Sequence, residues 1–227
     1  MIRFFFEFSN HLINNPLKKQ NKTMTTNIEN IKINVKVGNL AAEMADCLVV
    51  PQFSSCASYG GVGRAIALAG MEEGLDIYDQ KVKTQPLPFD RIIITNSGKA
   101  GVKLAHAATV GAKEDQQFRV VQNAMLRILL AAKRHGIRTI AVPEIGTGII
   151  GCLTPEQSAK AIFSAVHICA TMAPEHEVEE VTLVIYGGST ASAEKVLTEK
   201  SYINVDKDEV GQKEFDLVKF VTELGLC

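Results

Sequence analysis

The amino-acid sequence predicts an α/β fold, a three-layer α/β/α domain on a mixed, mostly parallel central sheet. Three observations carry this expectation. Short apolar runs of the buried-strand type alternate along the chain with stretches of helical period. One turn-rich link, Asn96 to Gly101 (NSGKAG), suits an antiparallel pair inside an otherwise parallel sheet. The length of 227 residues, 46% of them hydrophobic, suffices for one well-buried core and not comfortably for two.

Residues 1–26 differ in composition from the rest of the chain. Their apolar run is broken by Glu7 and Asn10, and no small-residue cleavage site comes after it, which argues against a secretory signal. The segment reads as a poorly ordered extension, with Met24 an alternative start of translation. The domain proper is expected over residues 27–200. Ile31 to Val37 alternates apolar with polar residues, whereas Cys47 to Val50, Ile92 to Thr95, Leu104 to Ala108, Ile140 to Val142 and Val181 to Tyr186 are short apolar runs. Each is expected as a strand. Phe118, Val121, Met125, Ile128 and Ala132 recur at helical spacing, and Gly136 stands where a left-handed cap would end that helix. Thr154-Pro155-Glu156-Gln157 offers an N-cap threonine, a proline at the first helical position and a glutamine to close a capping box. Residues 201–227 form a tail with a weak helical pattern at Phe215, Val218 and Val221.

Composition excludes several partner classes. Lys plus Arg number 24 against 25 Asp plus Glu, so no bulk basic charge recommends nucleic acid or an anionic membrane. No apolar run reaches the roughly 18 residues that a membrane span needs. The cysteines, Cys47, Cys56, Cys152, Cys169 and Cys227, are odd in number and contain no C-x-x-C pair. That is the pattern of a reduced, cytoplasmic chain without a zinc site, and no other cofactor is expected.

Two glycine loops carry the functional signal. Gly146, Gly148 and Gly151 fit G-x-G-x-x-G between a strand and a helix. A dinucleotide-binding unit also wants an acidic residue about 20 residues on, at the end of the next strand. That strand ends in Tyr186-Gly187-Gly188-Ser189, so a nicotinamide oxidoreductase is disfavoured and phosphate binding survives. After the run Cys47 to Val50, Gly60, Gly61 and Gly63 again sit between a strand and a helix. Loops on parallel strands can face each other across the carboxyl edge of a sheet, each presenting unpaired N–H groups at a helix N-terminus. A pyrophosphate fits between two such loops, held by backbone donors without any lysine.

In their order along the chain these residues resemble the macro domain family, over about Ile31 to Glu199. Gly38-Asn39-Leu40 stands for the family's Gly-Asp-Ile, Tyr59-Gly60-Gly61-Val62 for its glycine-valine loop, and Gly146-Thr147-Gly148-Ile149 matches its Gly-Thr-Gly-Ile loop. The closing VTLVIYGGSTASAEKVL is similar to the family's last strand and helix. The resemblance implies a site for ADP-ribose, free or attached to a protein. Asn39, Leu40 and Tyr186 would meet the adenine, with the Asn39 carbonyl accepting from its amino group in place of the family's aspartate. Gly60, Gly61, Val62 and Gly63 would cradle the diphosphate from one side, and Gly146, Thr147, Gly148 and Ile149 from the other. Gln52, Phe53, Ser54 and Ile150 would lie at the distal ribose. The family's Asn-Ala-Ala-Asn is replaced here by Pro51-Gln52-Phe53-Ser54, in which neither asparagine remains and Phe53 adds bulk.

Loss of both asparagines favours binding over hydrolysis of ADP-ribosyl esters or dephosphorylation of ADP-ribose 1''-phosphate, and no catalytic residue is assigned. A degenerate domain with a structural role stays open, since Asn39, Pro51 and Ile150 depart together. Other residues have plainer readings. His106 is expected as a satisfied core histidine and Cys56 as loop filler. Glu144, close to the second loop, could serve as a general base if its pKa were raised. Glu175 to Glu180, with His176, reads as a solvated turn.

Overall fold

The computed structural model describes residues 23–148 and 150–205. Strands β1 (Met24–Ile28), β2 (Ile31–Val37), β3 (Cys47–Phe53), β4 (Ile92–Asn96), β5 (Lys103–Val110), β6 (Thr139–Pro143) and β7 (Glu180–Ile185) form one sheet in the order β1-β2-β7-β6-β3-β5-β4. The inner strands are mutually parallel, and each edge strand runs antiparallel to its neighbour. The expected antiparallel pair across NSGKAG is β4 with β5.

Period-two alternation along the strands divides the core into two layers. Cys47 and Val49 face one apolar cluster while Leu48 and Val50 face another, and Ile140 and Val142 likewise oppose Ala141. Helices α1 (Gly61–Leu68) and α2 (Glu72–Thr84) cover the Leu48 face, with Ile66, Met71 and Leu75 buried against it. Helices α3 (Glu114–Ala131), α4 (Pro155–Met172) and α5 (Ala191–Glu199) cover the other, through Phe118, Met125, Phe163 and Val196. This is the three-layer α/β/α arrangement that the sequence predicts.

Several boundaries differ from expectation, and β3 runs three residues past its apolar run, to Phe53. β1 starts at Met24, inside the stretch read as an extension, and pairs along its length with β2. Its sequence, MTTNI, lacks an apolar run because it is an edge strand with one face exposed, so only its pairing reveals it. Gly136 does adopt the left-handed conformation, at φ 61, but it closes a 3-10 turn (Lys133–His135) that comes after α3. The tail pattern at Phe215, Val218 and Val221 lies outside the described residues, as does most of residues 1–26.

At the amino edge the side chains close on one another. The Asp46 carboxylate accepts from the backbone N–H groups of Arg138 at 2.9 Å and Thr139 at 2.8 Å, tying the start of β3 to the start of β6. Burial works against its charge, but these bonds, the Thr139 hydroxyl and the nearby Arg138 cation outweigh it and hold its pKa below the ordinary carboxylate value.

Candidate ligand-binding cleft

Because β2, β7, β6 and β3 are adjacent and parallel, their carboxyl ends share one edge of the sheet. After β3 the chain leaves towards the face covered by α1, and after β6 towards the face covered by α4. Neighbouring strands whose connections depart on opposite faces open a crevice between them. A cleft of about 670 Å³ lies there, a volume suited to a small organic ligand. Asn39, Leu40, Gly61, Val62, Arg64, Glu144, Thr147, Gly148 and Tyr186 are among its lining residues.

One end is built by β2 and β7. The Gly38 N–H donates to the Ile185 carbonyl at 2.9 Å and extends the pairing of the two strands, so Asn39 and Tyr186 emerge side by side. Asn39 caps a 3-10 turn, Leu40–Ala42, its Oδ1 accepting from the Ala41 N–H at 3.1 Å. Leu40 is buried against the cleft, whereas the Tyr186 ring is 86% exposed. A bare aromatic ring beside an apolar slot suits a flat heterocycle.

The first glycine loop is held down by α2. Asp79 Oδ1 accepts from the Ala57 N–H at 3.0 Å, and the Tyr59 hydroxyl donates to Asp76 Oδ1 at 2.9 Å. A Cβ on Gly63 would run into the Ser58 carbonyl, so glycine there is what lets the first turn of α1 lie on its own loop. Gly60 is the N-cap and supplies no side-chain cap, and Gly61 and Val62 line the cleft immediately after it. The positive end of α1 therefore opens into the crevice. Arg64 also lines the cleft and adds a cation that the sequence reading missed. Its signal was an arginine in the first turn of a helix placed directly after a glycine loop.

The second loop is different. Gly146, at φ 83, turns the chain so that its carbonyl accepts from the Leu153 N–H at 2.9 Å, and a Cβ on Gly151 would collide with that carbonyl. Thr147 Oγ1 donates to the Glu144 carbonyl at 3.0 Å. Thr147 and Gly148 reach the cleft that Gly61 and Val62 also line. The expected unpaired helix end is not found beyond them. Thr154 Oγ1 accepts from the Gln157 N–H at 3.2 Å and Gln157 Oε1 from the Thr154 N–H at 2.9 Å, so the predicted capping box forms and claims the N-terminus of α4. Ile149 lies outside the described residues.

The residues expected at the distal ribose do not line the cleft. Gln52 is 0% exposed: its Oε1 accepts from the Ser58 N–H and its Nε2 donates to His106 Nδ1 at 3.2 Å. Phe53 is half-buried, with its carbonyl accepting from the Tyr78 hydroxyl at 2.7 Å and its ring on the Gly111 side. Ser54 bonds in both directions with the backbone of Leu87. The physical reason is strand alternation: β3 runs on to Phe53, so Gln52 and Phe53 obey its inward and outward pattern, while Ser54, just past the strand, is fixed by the Leu87 backbone. Ile150, 59% exposed, also stands apart from the lining. Gly60, Gly63 and Gly146 shape the two loops without contributing to the cleft wall.

His106 is the core histidine the sequence suggests. Gln52 Nε2 can only donate, so Nδ1 accepts and the ring is neutral with its proton on Nε2, 2.9 Å from Thr95 Oγ1. Burial pushes its pKa down to about 3. Glu144 is half-buried at the cleft wall, and burial raises its carboxyl above the ordinary value. A second hollow, of about 420 Å³, lies at the amino edge among Asn30, Arg138 and His176. There Arg138 pairs with Glu179 and His176 bonds to Asn30 at 3.1 Å, as befits a solvated turn. Among the described residues there is no cluster of metal-ligating side chains, and no helix is long and apolar enough to cross a membrane.

The Macro domain family model matches residues 52–162. The chain is 28% identical over 165 residues to an uncharacterized protein of Thermotoga maritima, covering 67% of this chain but 26% of that one. It thus spans about a quarter of that relative's length. The macrodomain of Oceanobacillus iheyensis, solved with ADP, superposes with a TM-score of 0.64 at 21% identity, covering 80% of this chain and 100% of that one. The macrodomain of Trypanosoma brucei in complex with ADP-ribose gives a TM-score of 0.61 at 14% identity, covering 73% and 68%. At these identities the structural likeness speaks for the fold.

Proposed function

We propose that the chain binds ADP-ribose, free or attached to a protein, from the premise that residues 52–162 match the Macro domain family model and that the fold is that of a macrodomain. One observation carries the reading: Gly61 and Val62, in the uncapped first turn of α1, line the same cleft as Thr147, Gly148 and the exposed Tyr186. The diphosphate lies between the loops, where helix-end N–H groups and Arg64 meet its charge. The base lies on Tyr186. The ADP and ADP-ribose of the two similar structures support this ligand class. An open cleft of this size counts against a purely structural domain.

Binding without turnover is the better-supported activity, because the polar side chain nearest to the family's lost asparagines, Gln52, is spent on His106 and Ser58. Hydrolysis of an ADP-ribosyl linkage is the second reading, favoured by Glu144, a carboxyl of raised pKa on the cleft wall. Calorimetric titration with ADP-ribose, AMP and NAD tests the first. Saturable heat at micromolar or weaker affinity for ADP-ribose is expected, and no heat at millimolar ligand overturns it. Incubation with a mono-ADP-ribosylated protein tests the second, which release of ADP-ribose would establish.

A further inference from the structure

A line of hydrogen bonds runs through the core from the first glycine loop to α2. The Ser58 N–H donates to Gln52 Oε1, Gln52 Nε2 to His106 Nδ1 at 3.2 Å, His106 Nε2 to Thr95 Oγ1 at 2.9 Å, and Thr95 Oγ1 to the Gly74 carbonyl at 3.5 Å. Its two ends dictate its direction. A backbone N–H can only donate and a backbone carbonyl can only accept, so one orientation of the Gln52 amide and one tautomer of His106 satisfy both ends at once. Gln52 and His106 are fully buried and Thr95 nearly so, and a link lost there is not made good by bulk water. Tyr78, also buried, stacks on His106 with ring centroids 4.8 Å apart and donates its hydroxyl to the Phe53 carbonyl.

We propose that Gln52 is a positioning residue for the ligand: its grip on Ser58 sets the first glycine loop in the conformation that receives the diphosphate, and His106 fixes which way its amide faces. The inference rests on the reading that Gly61 and Val62 hold the diphosphate. Ser58 is the point of transmission. Its carbonyl lies where a Cβ of Gly63 would stand, so the first turn of α1 rests on it, and the Gly63 N–H in turn donates to the Gly60 carbonyl at 3.1 Å. Gly61 and Val62 lie between those two residues and line the cleft, whereas Gln52 does not. Asp79 holds the preceding Ala57 N–H from α2, and Gln52 is what ties the loop to the sheet. Backbone donors grip an anion to the extent that they are already in place, so affinity follows the placement of Ser58.

The experiment is calorimetric titration of the full chain with ADP-ribose for the wild type, Gln52→Leu and Gln52→Glu, with thermal melts and amide hydrogen exchange at Ser58 followed by NMR. Leucine fills the site without donating or accepting. Glutamate, kept protonated by burial, presents a carbonyl oxygen to Ser58 and an O–H to His106 Nδ1, as glutamine presents its oxygen and N–H. Gln52→Leu is expected to bind ADP-ribose about tenfold more weakly and to lose exchange protection at Ser58, while Gln52→Glu stays within about twofold of the wild type. Wild-type affinity in Gln52→Leu, or an equal loss in both variants, overturns the inference and leaves the binding reading standing. If Gln52→Leu does not fold, the other two proteins decide: protection of Ser58 with affinity retained in Gln52→Glu upholds the inference, and an unprotected Ser58 or a tenfold loss in Gln52→Glu overturns it. No heat with the wild type defeats the binding reading, and this inference falls with it.

Discussion

The loop before α1 leads into a helix end that no side chain of its N-cap claims, whereas the loop before α4 leads into one already closed by Thr154 and Gln157. Both loops need glycine for the same reason, a backbone carbonyl standing where a Cβ would be, at Gly63 from Ser58 and at Gly151 from Gly146. They differ in the state of the helix end each one reaches. Glycine spacing states where the backbone can come close to itself or to a ligand, and the cap residue states whether the N–H groups beyond are available. In this molecule the first loop offers a helix end and the second offers a backbone wall.

The largest expected effect comes from giving the first loop what the second has. Gly60 sits at φ −90 and ψ 159, ordinary extended backbone, and a Cβ there meets no atom within 4 Å. In Gly60→Asp the carboxylate caps the first turn of α1 and places a negative charge at the positive end of the helix. Affinity for ADP-ribose is expected to fall about thirtyfold while stability rises by about 0.5 kcal/mol. Calorimetry and urea unfolding read the two quantities separately. Unchanged affinity would mean that the end of α1 does not grip the diphosphate, and the contrast between the loops would lose its functional content.

The converse substitution opens the second helix. Thr154→Ala removes the side-chain acceptor for the Gln157 N–H and is expected to cost about 1 kcal/mol in urea unfolding. Affinity should stay within about twofold, because α4 begins beyond the stretch of the second loop that lines the cleft. A gain in affinity would show that the two helix ends are interchangeable.

How far this contrast is legible in sequence depends on the kind of signal. The Thr154–Gln157 box, the alternating strands and the two glycine clusters are local patterns, and local patterns fix local structure. That the clusters line one cleft is a consequence of topology, because parallel strands bring their connections to one edge. Four things escaped. β1 is an edge strand whose MTTNI carries no apolar run. Gln52 and Phe53 continue β3 and Ser54 directly follows it, and partners distant in sequence, His106 and Leu87, decide where Gln52 and Ser54 are held. Arg64 and the orientation of Asn39 depend on which face of a turn each occupies, and no spacing rule states that for a single residue.

Glu144 gives the smallest and most pH-sensitive test of the wall the second loop provides. Burial raises its carboxyl above the ordinary 4.5, so the folded chain holds that proton more tightly than the unfolded chain does. The stability this contributes is complete below 4.5 and is lost as pH rises through the folded value. Once ionised, the carboxylate shares the cleft wall with Thr147 and Gly148 and repels a diphosphate held there. Glu144→Gln keeps the shape and leaves the backbone carbonyl that accepts from Thr147 untouched. At pH 7.5 the variant is expected to bind ADP-ribose about threefold more tightly than the wild type, a modest gain because water screens a half-exposed charge. As pH is lowered through the folded value of Glu144 the gain should close, since the wild-type carboxyl then carries no charge either. A gain that holds at every pH where the protein is folded would assign the effect to packing, and the second loop would then act on the ligand through contact alone.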